Sequence, residues 1–247
     1  FNCIFIFLLG LKVFPSTHRD DGITFSVPTG NFGNVYAGYI SKKMGLPIKK
    51  LIIATNKNDI LDKVIDSGEY RPSKTKPSIS PSMDIQTASN FERLLYDVVD
   101  EEDEKVRSLM DKLKNEGSYS LNENLLSKIY RDFSSYSTSD KETKEQMKYY
   151  MEMYHYHIDP HTATASAALE DKLNSIDDYS GEEFWDHFIL ATADPYKFSE
   201  TVQNVTGVNP KIPESIKNIL NKKENYATLD NNIDVVKNYI LEKVNES

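Results

Sequence analysis

ITFSVPTGNFGN, residues 23–34, decides how the rest of this chain reads: a β-branched run ends in a glycine loop that leads into a helix. A helix leaves the amides of its first turn without internal acceptors, and its dipole favours negative charge at that end. Gly30 and Gly33 let the backbone approach an anion closely and take a positive φ where a side chain would clash. Strand, turn and helix together make a candidate phosphate cradle. The loop matches neither common nucleotide signature. A Walker A loop carries Lys and then Ser or Thr after its last Gly, whereas Asn34 and Val35 follow Gly33. A dinucleotide fingerprint opens with two glycines separated by one residue, and Gly30 and Gly33 are spaced more widely. On pattern alone, a phosphate cradle and a plain strand-to-helix turn stand equally open.

Outward from the loop, residues 35–44 read as a helix with Ala37, Ile40 and Met44 on one face and Lys42 and Lys43 toward solvent. Gly45 takes the C-terminal cap position, and Pro47 prevents continuation. LIIAT (51–55) is a continuous apolar strand of the kind buried on both faces. Strand, helix and strand with short links predict a parallel βαβ unit with a right-handed crossover. Asp59 caps a short helix that stops before Gly68, and residues 70–82, rich in Pro and Ser, read as an irregular loop. Residues 90–156 are charged, Tyr-rich and helical, and read as an insertion between two halves of an α/β core. The acidic run 100–104 inside it reads as a solvated face rather than a metal site. The core resumes at Asp159, an N-cap followed by Pro160 and a small-residue helix. FILATADP then gives an apolar strand at 188–191, with Asp194 as the next N-cap and Pro195 after it. Beyond residue 207 the chain is amphipathic helix and loop, and no internal repeat is visible.

The 247 residues suffice to bury a core as one domain. A net charge of −9 argues against nucleic acid and against anionic membrane surfaces, both of which require clustered Lys and Arg. The single cysteine, Cys3, cannot form an internal disulfide, which fits a reducing, cytoplasmic compartment. FNCIFIFLLGLKVF (1–14) is too short to span a bilayer and lacks the basic leader and cleavage site of a signal peptide. Residues 1–22 are therefore expected to be the remnant of a preceding segment, truncated or wrongly joined, and 23–247 to form the large domain.

SVPTGNFGN (26–34), with AGYISKKMGLPIKKLIIATNKNDIL (37–61) after it, resembles the cofactor-phosphate segment of threonine synthases, and most of all their fungal and bacterial branch. SMDI (82–85) with SNFERLL (89–95), IDPHTA (158–163) and TADPYKF (192–198) match in the same order. The family depends on pyridoxal phosphate and has the type II fold of such enzymes. The resemblance thus implies an open, mostly parallel α/β sheet flanked by helices, with a helical insertion at about 90–156 and a cofactor-binding domain over 23–247. It implies that Gly30, Asn31, Phe32 and Asn34 hold the coenzyme's phosphate, that Gly33 gives the loop its shape, and that the Thr192 hydroxyl meets the pyridine nitrogen. The residues read by themselves agree in part. Amides can hold a dianion without a lysine, and Asn34 could equally be a helix N-cap. Thr192 lies at the carboxyl edge of the sheet, where ligands bind, yet such residues are more often simple turn residues.

The implied activity is conversion of O-phospho-L-homoserine and water to L-threonine and phosphate, the last step of threonine biosynthesis. Asp194 stands where the family usually has His. It would either raise the basicity of the ring nitrogen or only cap the helix, and capping is the expectation. For His161 and Lys197, each in a first helical turn, a structural role is favoured, and Asp84 receives no role. Nothing in the chain matches the family's Schiff-base lysine segment or its small N-terminal domain, so no catalytic residue is assigned and the isolated chain is expected to be inactive. Two rivals remain: a non-catalytic threonine-synthase-like protein that binds phosphate or cofactor, and another type II enzyme such as a dehydratase. IDPHTA and TADPYKF speak against the second.

Overall fold

β1 (Ile23–Pro28) is buried at all six positions, as the central strand of a parallel sheet must be. The structure, a computed structural model, describes residues 22–175, 186–219 and 222–246. The apolar run 1–14 and Cys3, with the expectations placed on them, lie outside the described residues. After β1 come α1 (Gly33–Lys43), β2 (Ile48–Thr55), α2 (Ile60–Ser67) and β3 (Glu69–Tyr70). Then follow α3 (Phe91–Val98), α4 (Asp103–Glu116), β4 (Tyr119–Ser120), α5 (Glu123–Asp132) and β5 (Phe133–Ser137). The sequence closes this unit with α6 (Asp140–Tyr154), α7 (Pro160–Asn174), β6 (Asp186–Ile189) and α8 (Ser199–Thr206). The main sheet has the order β5-β2-β1-β6 with all three pairings parallel, and β3 and β4 form a separate antiparallel pair.

Side chains of β2 alternate between two cores. Leu51 and Ile53 join Phe25, Val35, Phe91 and Phe133 in the larger one. Ile52 and Ala54 face Ala165, Ala168 and Leu169 of α7. Successive strand residues point to opposite faces, so helices cover both sides of the sheet. The small residues of α7 bring that helix close enough for the Ser26 hydroxyl of β1 to donate to the Ala165 carbonyl at 2.6 Å.

Three expectations need correction. The buried face of α1 is Val35, Ala37, Gly38, Tyr39 and Ser41, while Met44 is 54% exposed. Gly38 is the reason: a Cβ there would lie 2.8 Å from the Leu51 side chain, so its absence seats the helix directly on β2. Lys42 and Lys43 are not simply solvent-facing, since they pair with Asp132 and Asp97, each at 2.7 Å. Finally, the segment 90–156 is mostly helical but also supplies β5, an edge of the main sheet among the described strands. FSSYS is only half-buried beyond Phe133, so it carries no apolar run to mark it as a strand.

The acidic run lies on the surface as expected, with Asp100 paired to Lys128 at 2.7 Å and Asp103 to Arg107 at 3.1 Å. Asp159 caps α7 by accepting from the His161 and Thr162 amides. Chain contacts divide the molecule into one compact unit through Pro210 and a second from Lys211 onward. The second unit contains α9 (Glu214–Lys217) and α10 (Ile233–Asn245), the latter capped by the Asn232 side chain. Among the described residues no helix is long and apolar enough to cross a membrane.

Candidate functional site

The loop after β1 departs from expectation in its geometry. Neither Gly30 nor Gly33 has a positive φ; Phe32 does, at 67°, as the residue preceding α1. Asn34 is accordingly not the N-cap. A bulky side chain in this region is strained, and the surrounding packing shows what holds it. The Phe32 ring is 1% exposed, meets Phe91 edge-on at 5.1 Å and lies 5.9 Å from Phe133. One residue earlier, the Asn31 carbonyl accepts from the Asn90 amide at 3.2 Å and from its side chain at 2.9 Å. The matched segment SNF (89–91) is therefore the brace of the loop. Gly30 is required for space: a Cβ there would come within 3.2 Å of the Met83 Cα and the Ser82 carbonyl.

Ser82 and Met83 form the facing wall, and Asp84 fixes them. Its Oδ1 accepts from Asn56 Nδ2 and Asn58 Nδ2, both at 2.9 Å, and from the Ser78 hydroxyl at 2.6 Å. Its Oδ2 accepts from the Ser78 amide at 3.0 Å. This hub ties residues 78–84 to the end of β2 and gives Asp84 the role that sequence alone did not. The Ser82 amide in turn donates to His161 Nε2 at 3.2 Å. His161 is 3% exposed, and its Nδ1 lies 2.8 Å from Asp159 Oδ1. With Nε2 accepting, the network assigns the proton to Nδ1, donated to Asp159, so the ring is neutral. His161 is thus held in the wall from both ring nitrogens.

The third wall follows β6. Thr192, Ala193 and Lys197 line it, with Thr192 and Lys197 both exposed. Asp194 Oδ1 accepts from the Tyr196 amide at 2.8 Å and is not among the lining residues, so it acts as a cap. The Lys197 ammonium sits 5.4 Å from the Phe198 ring, which packs on His161 at 4.6 Å.

These walls enclose about 340 Å³, lined by residues 28–34, Ser82, Met83, His161, Thr192, Ala193 and Lys197. The volume is within the usual range of small-molecule sites. All six residues implied by the resemblance, Gly30, Asn31, Phe32, Gly33, Asn34 and Thr192, line this one hollow. Among the described residues no carboxylate lines it, although the chain carries a net charge of −9. At one end α1 begins, and a helix offers no internal acceptor to its first-turn amides. A larger hollow, about 650 Å³, has Glu92, Arg93, Asp103 and Arg107 among its lining residues, charges of both signs. The smaller cavity is the candidate site.

Residues 162–240 match the family described as threonine synthase, C-terminal. The threonine synthase of Pseudomonas aeruginosa is 34% identical over 229 residues, covering 92% of this chain and 47% of that protein. For Saccharomyces cerevisiae the identity is 36% over 255 residues, with 94% and 49% covered. The solved structure of pyridoxal-phosphate-bound threonine synthase from Brucella melitensis matches with a TM-score of 0.86 at 36% identity, covering 98% of this chain and 50% of that one.

The chain belongs to the threonine synthase family. It spans about half the length of the relatives it matches. The parallel sheet with helices on both faces is the type II fold of this family. Within a threonine synthase framework the matched motifs acquire distinct tasks: the glycine loop forms one wall, SMDI the facing wall, SNF the brace, and IDPHTA the buried His161 behind Ser82.

Proposed function

We propose that the 340 Å³ cavity binds pyridoxal phosphate and that the chain is the cofactor-binding portion of a cytoplasmic threonine synthase, a carbon–oxygen lyase acting on a phosphate ester. The substrate is O-phospho-L-homoserine, and the products, after addition of water, are L-threonine and phosphate. One observation carries the reading: a single hollow, free of carboxylates among the described residues, joins the 30–34 loop to Thr192. The donor set fits the coenzyme, with amides at a helix start for a dianion and a neutral hydroxyl for a ring nitrogen. When bound, the coenzyme supplies an electron sink for carbanionic charge on the amino-acid substrate.

The chain's own residues hold and orient. The backbone at Gly30, Asn31, Phe32 and Gly33, with the Asn34 side chain, would receive the phosphate ester. Thr192 would receive the pyridine nitrogen, and as a neutral partner it would not force that nitrogen to keep a proton. Asp194, occupied by the Tyr196 amide, leaves this arrangement undisturbed. His161 keeps Ser82 and hence Met83 against Gly30. No lysine of the chain matches the family's attachment segment, and none is assigned that task.

Deoxypyridoxine phosphate, which lacks the aldehyde and so cannot react with surface lysines, is the probe to use. Equilibrium dialysis near neutral pH is expected to show one molecule bound per chain. Deoxypyridoxine without its phosphate is expected to bind at least about tenfold more weakly, a loss of ~1.4 kcal/mol. Equal affinity for the two compounds would remove the basis for the proposal.

A further inference from the structure

Among the described residues Lys197 is the one cation lining the cavity, and it sits on the wall after β6 rather than on the glycine loop. In this acid-rich chain Lys42, Lys43, Lys57, Lys63 and Lys128 each meet a carboxylate within 3.0 Å. Lys197 forms no ion pair among the described residues. Its ammonium lies over the Phe198 ring instead, at 5.4 Å. That ring is set against His161, which Asp159 and the Ser82 amide hold in place. The cation thus lies beside an aromatic ring at the cavity wall, and among the described residues no lining carboxylate neutralises it.

A single phosphate does not account for this. Loop amides at a helix start serve one dianion without any lysine. A separate ammonium on another wall of the same hollow is suited to a second anion, and Lys offers it as a compact, mobile point charge. Resting on the reading that the loop takes the coenzyme's phosphate, we propose that Lys197 binds the phosphate of the substrate and selects phosphorylated over unphosphorylated amino acids. It acts by binding, and no proton transfer is assigned to it.

The test uses the 247-residue chain with Lys197→Met and Lys197→Arg, and reads binding by calorimetry. Inorganic phosphate, the released product, is titrated into chain already saturated with deoxypyridoxine phosphate. The unaltered chain is expected to bind phosphate under these conditions. Lys197→Met should weaken that binding by about tenfold or more, the scale of a charge-assisted contact. Lys197→Arg should retain it within about threefold. Affinity for deoxypyridoxine phosphate itself should change by less than about threefold in both variants, since the loop carries that anion. Phosphate binding that is absent with the coenzyme analogue in place, or indifferent to Lys197→Met, overturns the inference while leaving the proposed function standing. Equal weakening of both ligands by Lys197→Met assigns the lysine to the coenzyme and also overturns it. Failure of the unaltered chain to bind the analogue refutes the proposed function first, and the inference with it.

Discussion

On one side of the cavity Phe32 is 1% exposed, locked between Phe91 and Phe133, with Asn90 bonded to the Asn31 carbonyl and the Asp84 hub behind Ser82. On the other, Thr192 and Lys197 are exposed and follow a strand buried only in part. The first wall descends from β1, which has a neighbour on each side; the second descends from β6, paired only with β1 among the described strands. A phosphate site made of backbone amides works only if those amides are already aimed, because ordering them on binding would consume the interaction. On the proposed reading, the braced wall is the one that takes the invariant anion, and the exposed wall is the one left to the ring and the substrate.

The largest test of that contrast is Phe32→Ala. Truncating a fully buried aromatic costs about 3–5 kcal/mol, so the denaturation midpoint of the chain should fall steeply. Phe32→Gly separates the ring from the backbone. Glycine relieves the positive φ and should recover about 1–2 kcal/mol relative to Ala. A loss below about 1 kcal/mol for Phe32→Ala would show that the loop wall is not held from within the core.

Asp84→Ala comes next. It removes the carboxylate that accepts from the Ser78 amide and hydroxyl, while Asn56 and Asn58, 1% and 2% exposed, keep the Ser80 and Lys76 carbonyls as acceptors. Unfolding free energy should drop by about 1–3 kcal/mol. Binding of deoxypyridoxine phosphate should weaken as well, because Ser82 and Met83 lose their anchor. Normal affinity in a destabilised Asp84→Ala chain would mean that the facing wall does not shape the phosphate end.

The same contrast explains what was legible in the sequence. ITFSVP and LIIAT announced themselves because central parallel strands are buried on both faces, and Gly45, Pro47 and Gly68 punctuate the helices between. Asp159-Pro160 and Asp194-Pro195 gave both caps. The positive φ at Phe32 was not legible, since glycines flank it and nothing local marks a phenylalanine for that conformation; the cause lies in Phe91 and Phe133, distant in sequence. Likewise the link from Ser82 to His161 spans 79 positions. β5 escaped notice because an edge strand need bury only part of itself. Local punctuation reveals elements, whereas the bracing of a site is made of tertiary contacts.

Thr192→Val sharpens the comparison from its small end. The side chain is exposed and, among the described residues, none of the hydrogen bonds found uses its hydroxyl. Replacing it with an isostere should therefore shift stability by no more than about 0.5 kcal/mol. With the coenzyme analogue bound, however, the lost hydrogen bond to the ring nitrogen should reduce affinity roughly two- to tenfold. Phe32→Ala and Thr192→Val would then be opposites: one acts on the folded chain before any ligand arrives, the other only once a ring is in place. A Thr192→Val chain that loses more than about 1.5 kcal/mol of stability would make this wall as structural as the other. One that binds the analogue as tightly as before would remove Thr192 from the site, since a hydroxyl in contact with the ring nitrogen cannot be deleted without cost.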